Sequence, residues 1–129
     1  MNGWIADNGW TADDLTRIGS REEVQVSAAR ADGSLAPTRT IWIVDSAGRL
    51  FIRSTNGRTA GWFRAAIASG RGVIRVGSQT FDVAFAQAAD SDLAAVDAAY
   101  RRKYGRYASI VDHLEETGPR AATLEVHRA

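Results

Sequence analysis

Short runs of alternating polar and apolar residues dominate the sequence and predict β-strands, because successive side chains of a strand point to opposite faces of a sheet. In the first run, Val24, Val26 and Ala28 can share a buried face, while polar neighbours such as Ser27 face water. Five later runs repeat the pattern or carry the β-branched and aromatic residues that strands favour. The predicted strands are residues 23–30, 38–44, 48–54, 73–76, 79–85 and 122–127.

Other segments place apolar residues three or four positions apart, which is the spacing of an amphipathic helix. Thr11 has the side chain of an N-cap, and glycine ends the first three helices, at Gly19, Gly70 and Gly105. Gly118 and Pro119 are expected to separate the last helix from the last strand. The predicted helices are residues 11–19, 60–69, 90–104 and 107–116, with Asp90, Asp92 and Asp97 as capping or first-turn acids of the third.

Most predicted strands follow one another through short turns, without the regular strand–helix alternation of a parallel sheet. The pattern therefore predicts an α+β fold, an antiparallel six-stranded sheet curled into a small barrel with three to four peripheral helices. The 129 residues are enough for one domain. We expect a flexible N-terminus over residues 1–9 and a single domain over residues 10–129.

The composition narrows the classes of partner. Sixteen basic residues against fifteen acidic ones leave a net charge of +1, so no overall field draws the chain to nucleic acid or to a membrane. The absence of cysteine excludes disulfides and thiol chemistry. No run approaches the ~18 apolar residues of a membrane span, and the first residues do not resemble a signal peptide. A cytoplasmic protein is expected, with no nucleic-acid or membrane partner.

The strands on either side of the turn 45–48 carry the strongest candidate site. Arg39 lies near the start of the first strand, Arg53 ends the second, and Arg58 follows in the turn before the next helix. Guanidinium groups form bidentate, charge-assisted hydrogen bonds with phosphate. The sequence therefore predicts that the three arginines converge on one anion.

The same stretch, residues 37–59, resembles the cofactor half of the split β-barrel flavoproteins, which include the pyridoxamine phosphate oxidases and the deazaflavin-dependent nitroreductases. Over nearly the whole chain, the sequence also looks like a bacterial domain-of-unknown-function family. Asp32-Gly33, residues 50–54, Trp62-Phe63-Arg64 and residues 99–105 carry that second resemblance.

The resemblance implies a homodimeric split barrel that binds FMN or a deazaflavin. It also raises the hypothesis of an oxidoreductase that acts on a small molecule. It implies phosphate contacts by Arg39, Arg53, Ser54 and Arg58, with Gly57 as a further cofactor-binding residue. It implies that Thr40, Ile41 and Trp42 line the cofactor ring. The substrate side would be formed by Trp62, Arg64, Lys103 and Tyr104. No catalytic residue is assigned.

A second hypothesis is a cofactor-free binding or accessory module that uses the same cleft for a small anionic metabolite. Val44 favours it, because the oxidases have a lysine at that position, and residues 57–59 also lack the lysine of the oxidase turn. Both hypotheses remain open at this stage.

Other chemistries have weaker support. The basic run 101–106 suits single-stranded nucleic acid, but the spacing of Tyr100 and Tyr104 favours a helix that packs these rings inward. His113 and His127 have no carboxylate at metal-binding spacing, so no zinc site is expected. The motifs of serine hydrolases, P-loop NTPases and dinucleotide-binding domains are missing from the sequence.

Overall fold

The computed structural model describes residues 8–129. The prediction of a flexible N-terminus thus lies largely outside the described residues. Within them, the chain is packed from its first residues onward. Trp10 is fully buried, and its indole N–H donates a hydrogen bond of 2.9 Å to the main-chain carbonyl of Val126.

The described residues form one seven-stranded antiparallel sheet and five helices. The helices are α1 (Ala12–Gly19), α2 (Gly61–Ser69), α3 (Leu93–Tyr104), α4 (Ala108–Leu114) and the five-residue α5 (Thr117–Ala121). The strands are β1 (Val24–Ala28), β2 (Arg39–Ile41), β3 (Val44–Ser46), β4 (Arg49–Arg53), β5 (Arg71–Val76), β6 (Gln79–Gln87) and β7 (Thr123–Arg128). The prediction of an α+β fold with an antiparallel sheet is confirmed.

The sheet has seven strands rather than six, because the predicted strand 38–44 is divided. Its first part, β2, pairs with β1 and places Arg39 opposite Val26. Its second part, β3, pairs with β4 and places Val44 opposite Phe51. The order across the sheet is β2-β1-β5-β6-β7-β4-β3, so the two parts form opposite edges. We call residues Trp42 and Ile43, between them, the strand break.

The strand break forces the sheet to curl. Ile41 and Val44 belong to opposite edges but are only three peptide units apart, so their Cα atoms are at most about 11 Å apart. A flat sheet of seven strands would separate its edges by roughly 29 Å, at 4.8 Å per neighbouring pair. The sheet therefore bends round until its edges nearly meet, and the strand break crosses the remaining gap.

The β3–β4 hairpin closes through the turn that the sequence predicts. Ala47 and Gly48 both have positive φ angles, of 54° and 81°, as in the type I′ turns that match the twist of a hairpin. The Asp45 side chain accepts a hydrogen bond of 2.8 Å from the Gly48 N–H. This turn fixes the register of β4, and with it the direction in which Arg53 points.

Two apolar layers lie on the two faces of the sheet. The inner layer fills the curl and includes Val26, Leu50 and Ile52. The outer layer lies between the sheet and α3 and α4, and includes Val44 and Phe51. Side chains alternate along β4, so Leu50 and Ile52 point inward while Phe51 and Arg53 point toward the helices.

Three local predictions need correction. Ser27 is buried rather than exposed, because its hydroxyl is hydrogen-bonded to that of Thr38 at 2.8 Å. Pro119 lies within α5, in the first turn, where its missing N–H breaks no helical hydrogen bond. Asp97 is not in the first turn of α3. It lies inside the helix and pairs with arginines.

Candidate functional site

The strand break is held by two side chains of α3. A strand that leaves one neighbour for another loses its ladder hydrogen bonds at that point, and buried main-chain groups need other partners. The Tyr104 hydroxyl accepts from the Ile43 N–H at 3.3 Å and donates to the Glu22 carbonyl at 2.7 Å. Lys103 donates to the Ile43 carbonyl at 2.6 Å. These two residues, predicted for a substrate side, thus bind the chain's own backbone.

The partial burial of Lys103 disfavours its charged form. Burial lowers the pKa of Lys103 to about 8, although Glu22 and Asp45 lie close enough to favour the charged form. The Lys103 ammonium also lies 5.0 Å from the centre of the Tyr104 ring. Lys103 is half-buried and hydrogen-bonded to Ile43, and it does not border the open cleft that Trp42 and Trp62 line.

Tyr104 also fixes the indole of Trp42. The two rings are parallel within 1°, with centroids 3.9 Å apart, and the hydrogen bonds of the Tyr104 hydroxyl hold the tip of its ring in position. Tyr107 packs against Trp42 as well, at 5.5 Å between centroids. The indole is consequently preorganised, and the part of it that Tyr104 leaves uncovered borders an open cleft.

This cleft has a volume of about 440 Å³, within the usual range for small-molecule sites. It is bordered by the edge strand β2 with Trp42 and by the start of α2 with Trp62. Ile110 and Leu114 of α4 and Tyr100 of α3 also border it. We call this space the cleft; its other lining residues are Glu23, Arg39, Thr40, Ile41, Arg53, Thr55, Asn56, Ala60 and Gly61.

Arg39 is the cation that the cleft leaves available. It pairs across β1 and β2 with Val26, whose side chain belongs to the inner layer, so Arg39 lies on the same inner face. The outer-face neighbour Thr40 instead faces Gln25. Within residues 8–129, the exposed Arg39 side chain forms no hydrogen bond or ion pair, and its charge is therefore open to a ligand.

The N-terminus of α2 adds hydrogen-bond donors to the border of the cleft. Ala60 is the N-cap and supplies no side-chain hydrogen bond to the first turn. The first intrahelical bond runs from the Arg64 N–H to the Ala60 carbonyl at 3.0 Å, so the N–H groups at the start of the helix lack helical acceptors. Such a terminus favours anions through its free N–H groups and its dipole.

The guanidinium group of Arg53 forms its hydrogen bonds within the protein. Its side chain is 0% exposed, and Nη1 lies 2.5 Å from Asp97 and 3.1 Å from the Leu114 carbonyl. Nε donates to the Thr123 hydroxyl at 2.8 Å, and Nη2 donates to the Leu93 carbonyl at 3.2 Å. Four of the five guanidinium N–H groups thus have acceptors within the chain. Arg53 borders the cleft but has few free N–H groups with which to bind a ligand there.

The remaining residues predicted for phosphate binding lie away from the cleft. Arg58 donates to the Gln87 side chain at 2.8 Å and to the Ala121 carbonyl at 2.9 Å, on the β6 side of the molecule. Gly57 is buried, with Gly118 packed against it. Ser54 is also buried. Arg39 and Arg53 both border the cleft, but the Arg53 guanidinium is bonded within the chain, and Arg58 binds Gln87 and Ala121 elsewhere. The structure therefore does not bring the three arginines together on one anion.

Two buried hydroxyls have no hydrogen-bond partner among residues 8–129. The Ser54 Oγ and the Tyr100 hydroxyl each lack a hydrogen bond within the described chain, although both residues are only 1% exposed. Burial raises the pKa of Tyr100 and keeps its phenol neutral, against the opposing charge of Arg53. Unsatisfied buried hydroxyls are uncommon and cost free energy. Tyr100 is one of the residues that line the cleft.

The sequence indicated part of this lining. Of the residues predicted to contact a cofactor or substrate, Arg64 is exposed outside the cleft, and six border it: Arg39, Thr40, Ile41, Trp42, Arg53 and Trp62. Glu23, Tyr100, Ile110 and Leu114 were missed for the cleft. The apolar i,i+4 pair Ile110 and Leu114 is a signal for α4, but only the fold shows that this face of α4 adjoins β2.

The basic run 101–106 is largely paired within the chain. Arg101 binds Asp112 at 2.9 Å and Glu115 at 2.8 Å, and Arg106 pairs with Glu22. Over residues 8–129, acidic and histidine side chains form no group of three that could hold a metal ion. In the same range, every helix is too short or too polar to cross a membrane.

The curled antiparallel sheet with its peripheral helices defines the chain as an α+β domain with an open cleft. The chain belongs to the bacterial family DUF2255, described as uncharacterized proteins conserved in bacteria, whose sequence model matches residues 14–126. This confirms the family resemblance. No protein of curated function has a significantly similar sequence.

Solved structures share the fold at low sequence identity. The heme storage protein HutZ from Vibrio cholerae is 16% identical, with a TM-score of 0.65 over 91% of this chain and 87% of that one. An F420-H2-dependent reductase, FDR-A, is 14% identical, with a TM-score of 0.63 over 83% and 95%. A FAD-binding protein from Mesorhizobium loti is 17% identical, with a TM-score of 0.55 over 92% and 88%. These likenesses establish the fold.

Proposed function

We propose that the cleft binds a phosphorylated, flavin-like cofactor, FMN or a deazaflavin, within a split barrel. The observation that carries the proposal is that the unpaired Arg39 borders the same cleft as the preorganised Trp42. A cationic guanidinium and a fixed indole in one cleft suit a ligand that combines an anionic group with a flat aromatic ring.

The hydrogen-bond donors that border the cleft suit such a cofactor in part. Arg39 and the uncapped start of α2 supply positive charge and N–H donors for a phosphate. Thr40, Ile41, Trp42 and Trp62 border the cleft and would line the ring. Of the other predicted contacts, Arg53 borders the cleft but is bonded within the chain, whereas Ser54, Gly57, Arg58 and Arg64 lie outside it. In this proposal, Lys103 and Tyr104 position Trp42.

The structural neighbours support the class of ligand. By their names, they bind or use heme, FAD and the deazaflavin F420, which are all planar aromatic cofactors with anionic groups. A bound flavin or deazaflavin would supply hydride or electron transfer to a small molecule. The chain's own residues would bind and orient the cofactor.

We also propose that the protein acts as a homodimer. A domain-swapped dimer is among the structures that share the fold, with a TM-score of 0.63. The cleft is open at the edge strand β2 and at Ile110, which is 44% exposed, so a second subunit has an apolar surface to cover beside the ligand.

The alternative is a cofactor-free module that binds a small anionic metabolite in the same cleft. Val44 favours this alternative, because it is fully buried in the outer layer and contributes no polar group to the cleft. Arg39 and the start of α2 would then hold the anion alone. No redox chemistry would follow from this function.

Visible absorption of the purified protein, followed by titration with FMN and with F420, tests the proposal. We expect a bound chromophore or saturable binding, and Arg39→Ala should weaken it by about 1.5–3 kcal/mol, the contribution of a hydrogen bond to a charged group. Arg75→Ala is the matched control, because Arg75 is exposed on β5 and does not border the cleft. Failure of both cofactors to bind would exclude the cofactor function and leave the metabolite-binding alternative.

A further inference from the structure

The cleft holds one acidic side chain, and this residue is assigned no role in the proposed function. Glu23 precedes β1 and borders the cleft together with Arg39. It is exposed and forms no ion pair or side-chain hydrogen bond within residues 8–129. Its neighbour Glu22, in contrast, pairs with Arg106 and does not border the cleft.

The strand register separates the two opposite charges of the cleft. Val24 pairs with Ile41 and Val26 with Arg39, so extending the register by one residue places Glu23 opposite Trp42. Glu23 is three positions from the partner of Arg39, which corresponds to roughly 10 Å along the strands at ~3.3 Å per residue. Glu23 and Arg39 form no ion pair with one another within residues 8–129, and Trp42, which lies opposite Glu23 in this register, borders the same cleft.

We propose that Glu23 selects the ligand by accepting a hydrogen bond from an N–H donor on the edge of its aromatic ring, while Arg39 binds an anionic group of the same ligand. This inference rests on the proposed function and deepens it by naming the chemistry of each end. Flavins and deazaflavins have such an edge in the imide N–H of their pyrimidine ring. Hemes do not, and their two propionates are repelled by a carboxylate.

The carboxylate thus distinguishes the ligand classes of the structural neighbours. A charged acceptor strengthens a hydrogen bond to an imide N–H and at the same time opposes a second anionic group. Because Glu23 is exposed, we expect an effect at the lower end of the range for charged hydrogen bonds, about tenfold in affinity.

The experiment measures dissociation constants of FMN, of FMN methylated at the imide nitrogen, and of hemin for the wild type and Glu23→Ala. We expect Glu23→Ala to weaken FMN about tenfold. The methylated FMN should bind the wild type about tenfold more weakly than FMN does, and should bind Glu23→Ala as well as FMN does. Hemin should bind Glu23→Ala at least as tightly as it binds the wild type.

Glu22→Gln is the matched control, and thermal unfolding of each variant checks that the fold persists. Equal FMN affinities of the wild type and Glu23→Ala, with a weakened Arg39→Ala, would overturn the role of Glu23 and leave the proposed function intact. A parallel loss of hemin and FMN affinity in Glu23→Ala would also overturn it, since Glu23 would then only maintain the shape of the cleft. No FMN binding by the wild type would overturn both proposals.

Discussion

Arg39 and Arg53 belong to neighbouring segments of one continuous stretch, but the fold gives them opposite surroundings. Arg39 lies on the inner face of β2, exposed and without a partner among the described residues. Arg53 lies on the outer face of β4, fully buried, with Asp97, Thr123 and two carbonyls as partners. The contrast shows that the same residue type borders an open cleft, without a partner, in one place and stabilises the folded structure in the other.

The same contrast extends to the aromatic and basic residues around the strand break. Trp42 and Trp62 border the cleft, whereas Tyr104 and Lys103 hydrogen-bond to the backbone of Ile43 behind it. A residue with satisfied polar groups has little left to offer a ligand. Variants behind the cleft should therefore change stability first, and variants of the cleft should change binding first.

The largest expected effect is the loss of stability in Arg53→Met. The methionine keeps much of the apolar stem but removes the charge, which leaves Asp97 with Arg120 alone and several buried acceptors without donors. Breaking a buried ion pair in this way costs about 3–5 kcal/mol. Urea denaturation measures the free energy of unfolding, with Arg102→Ala, an exposed change on α3, as the control.

One outcome would contradict the separate roles of Arg39 and Arg53. A stable Arg53→Met variant that no longer binds FMN would place Arg53 in the ligand site together with Arg39. The prediction also requires that Arg39→Ala leave the free energy of unfolding within about 0.5 kcal/mol of the wild type, as expected for a surface substitution.

A smaller loss is expected in Tyr104→Phe. The change keeps the ring that stacks on Trp42 but removes the hydroxyl that binds the backbone of Ile43 and Glu22. Leaving these buried groups unsatisfied should cost about 1–3 kcal/mol. Near-ultraviolet circular dichroism should report a less ordered Trp42. Tyr107→Phe, whose hydroxyl makes only an exposed 3.4 Å contact with Glu22, should be close to neutral.

The smallest effect concerns the pH dependence of stability. Lys103 is the only lysine of the sequence, and burial lowers its pKa from 10.5 to about 8 in the folded chain. Between these values, the unfolded chain binds the proton that the folded chain has released, so stability from this group rises with pH. The free energy of unfolding, measured from pH ~7 to ~10.5, should rise more in the wild type than in Lys103→Met. Parallel pH profiles would show that Lys103 does not contribute.

Local sequence signals predicted much of the fold. Thr11 caps α1, its hydroxyl accepting a hydrogen bond of 3.1 Å from the Asp14 N–H, and Gly70 ends α2 with a φ of 67°. Alternation placed Val24, Val26 and Ala28 in the core, where all three are fully buried. The division of the strand at Trp42 and Ile43 left no such signal, because β-branched and aromatic residues continue through it.

The candidate site was only partly accessible from the sequence. Residues 39–42 were predicted for the site and border the cleft, since they form one short contiguous edge. Arg53 and Arg58 were expected to join them because they are close in the chain. Their actual partners, Asp97 and Gln87, come from α3 and β6, and no local pattern links these elements to the arginines.

By itself, the sequence determined the local elements, the absence of thiol chemistry and the family of the chain. These follow from the spacing of apolar residues, from capping residues and from composition, all of which act over a few neighbouring positions. The tertiary structure alone decided which face of the sheet each arginine occupies and which side chains border the cleft. Those outcomes depend on the pairing register and on the closing of the sheet through the strand break, which bring together residues far apart in the chain.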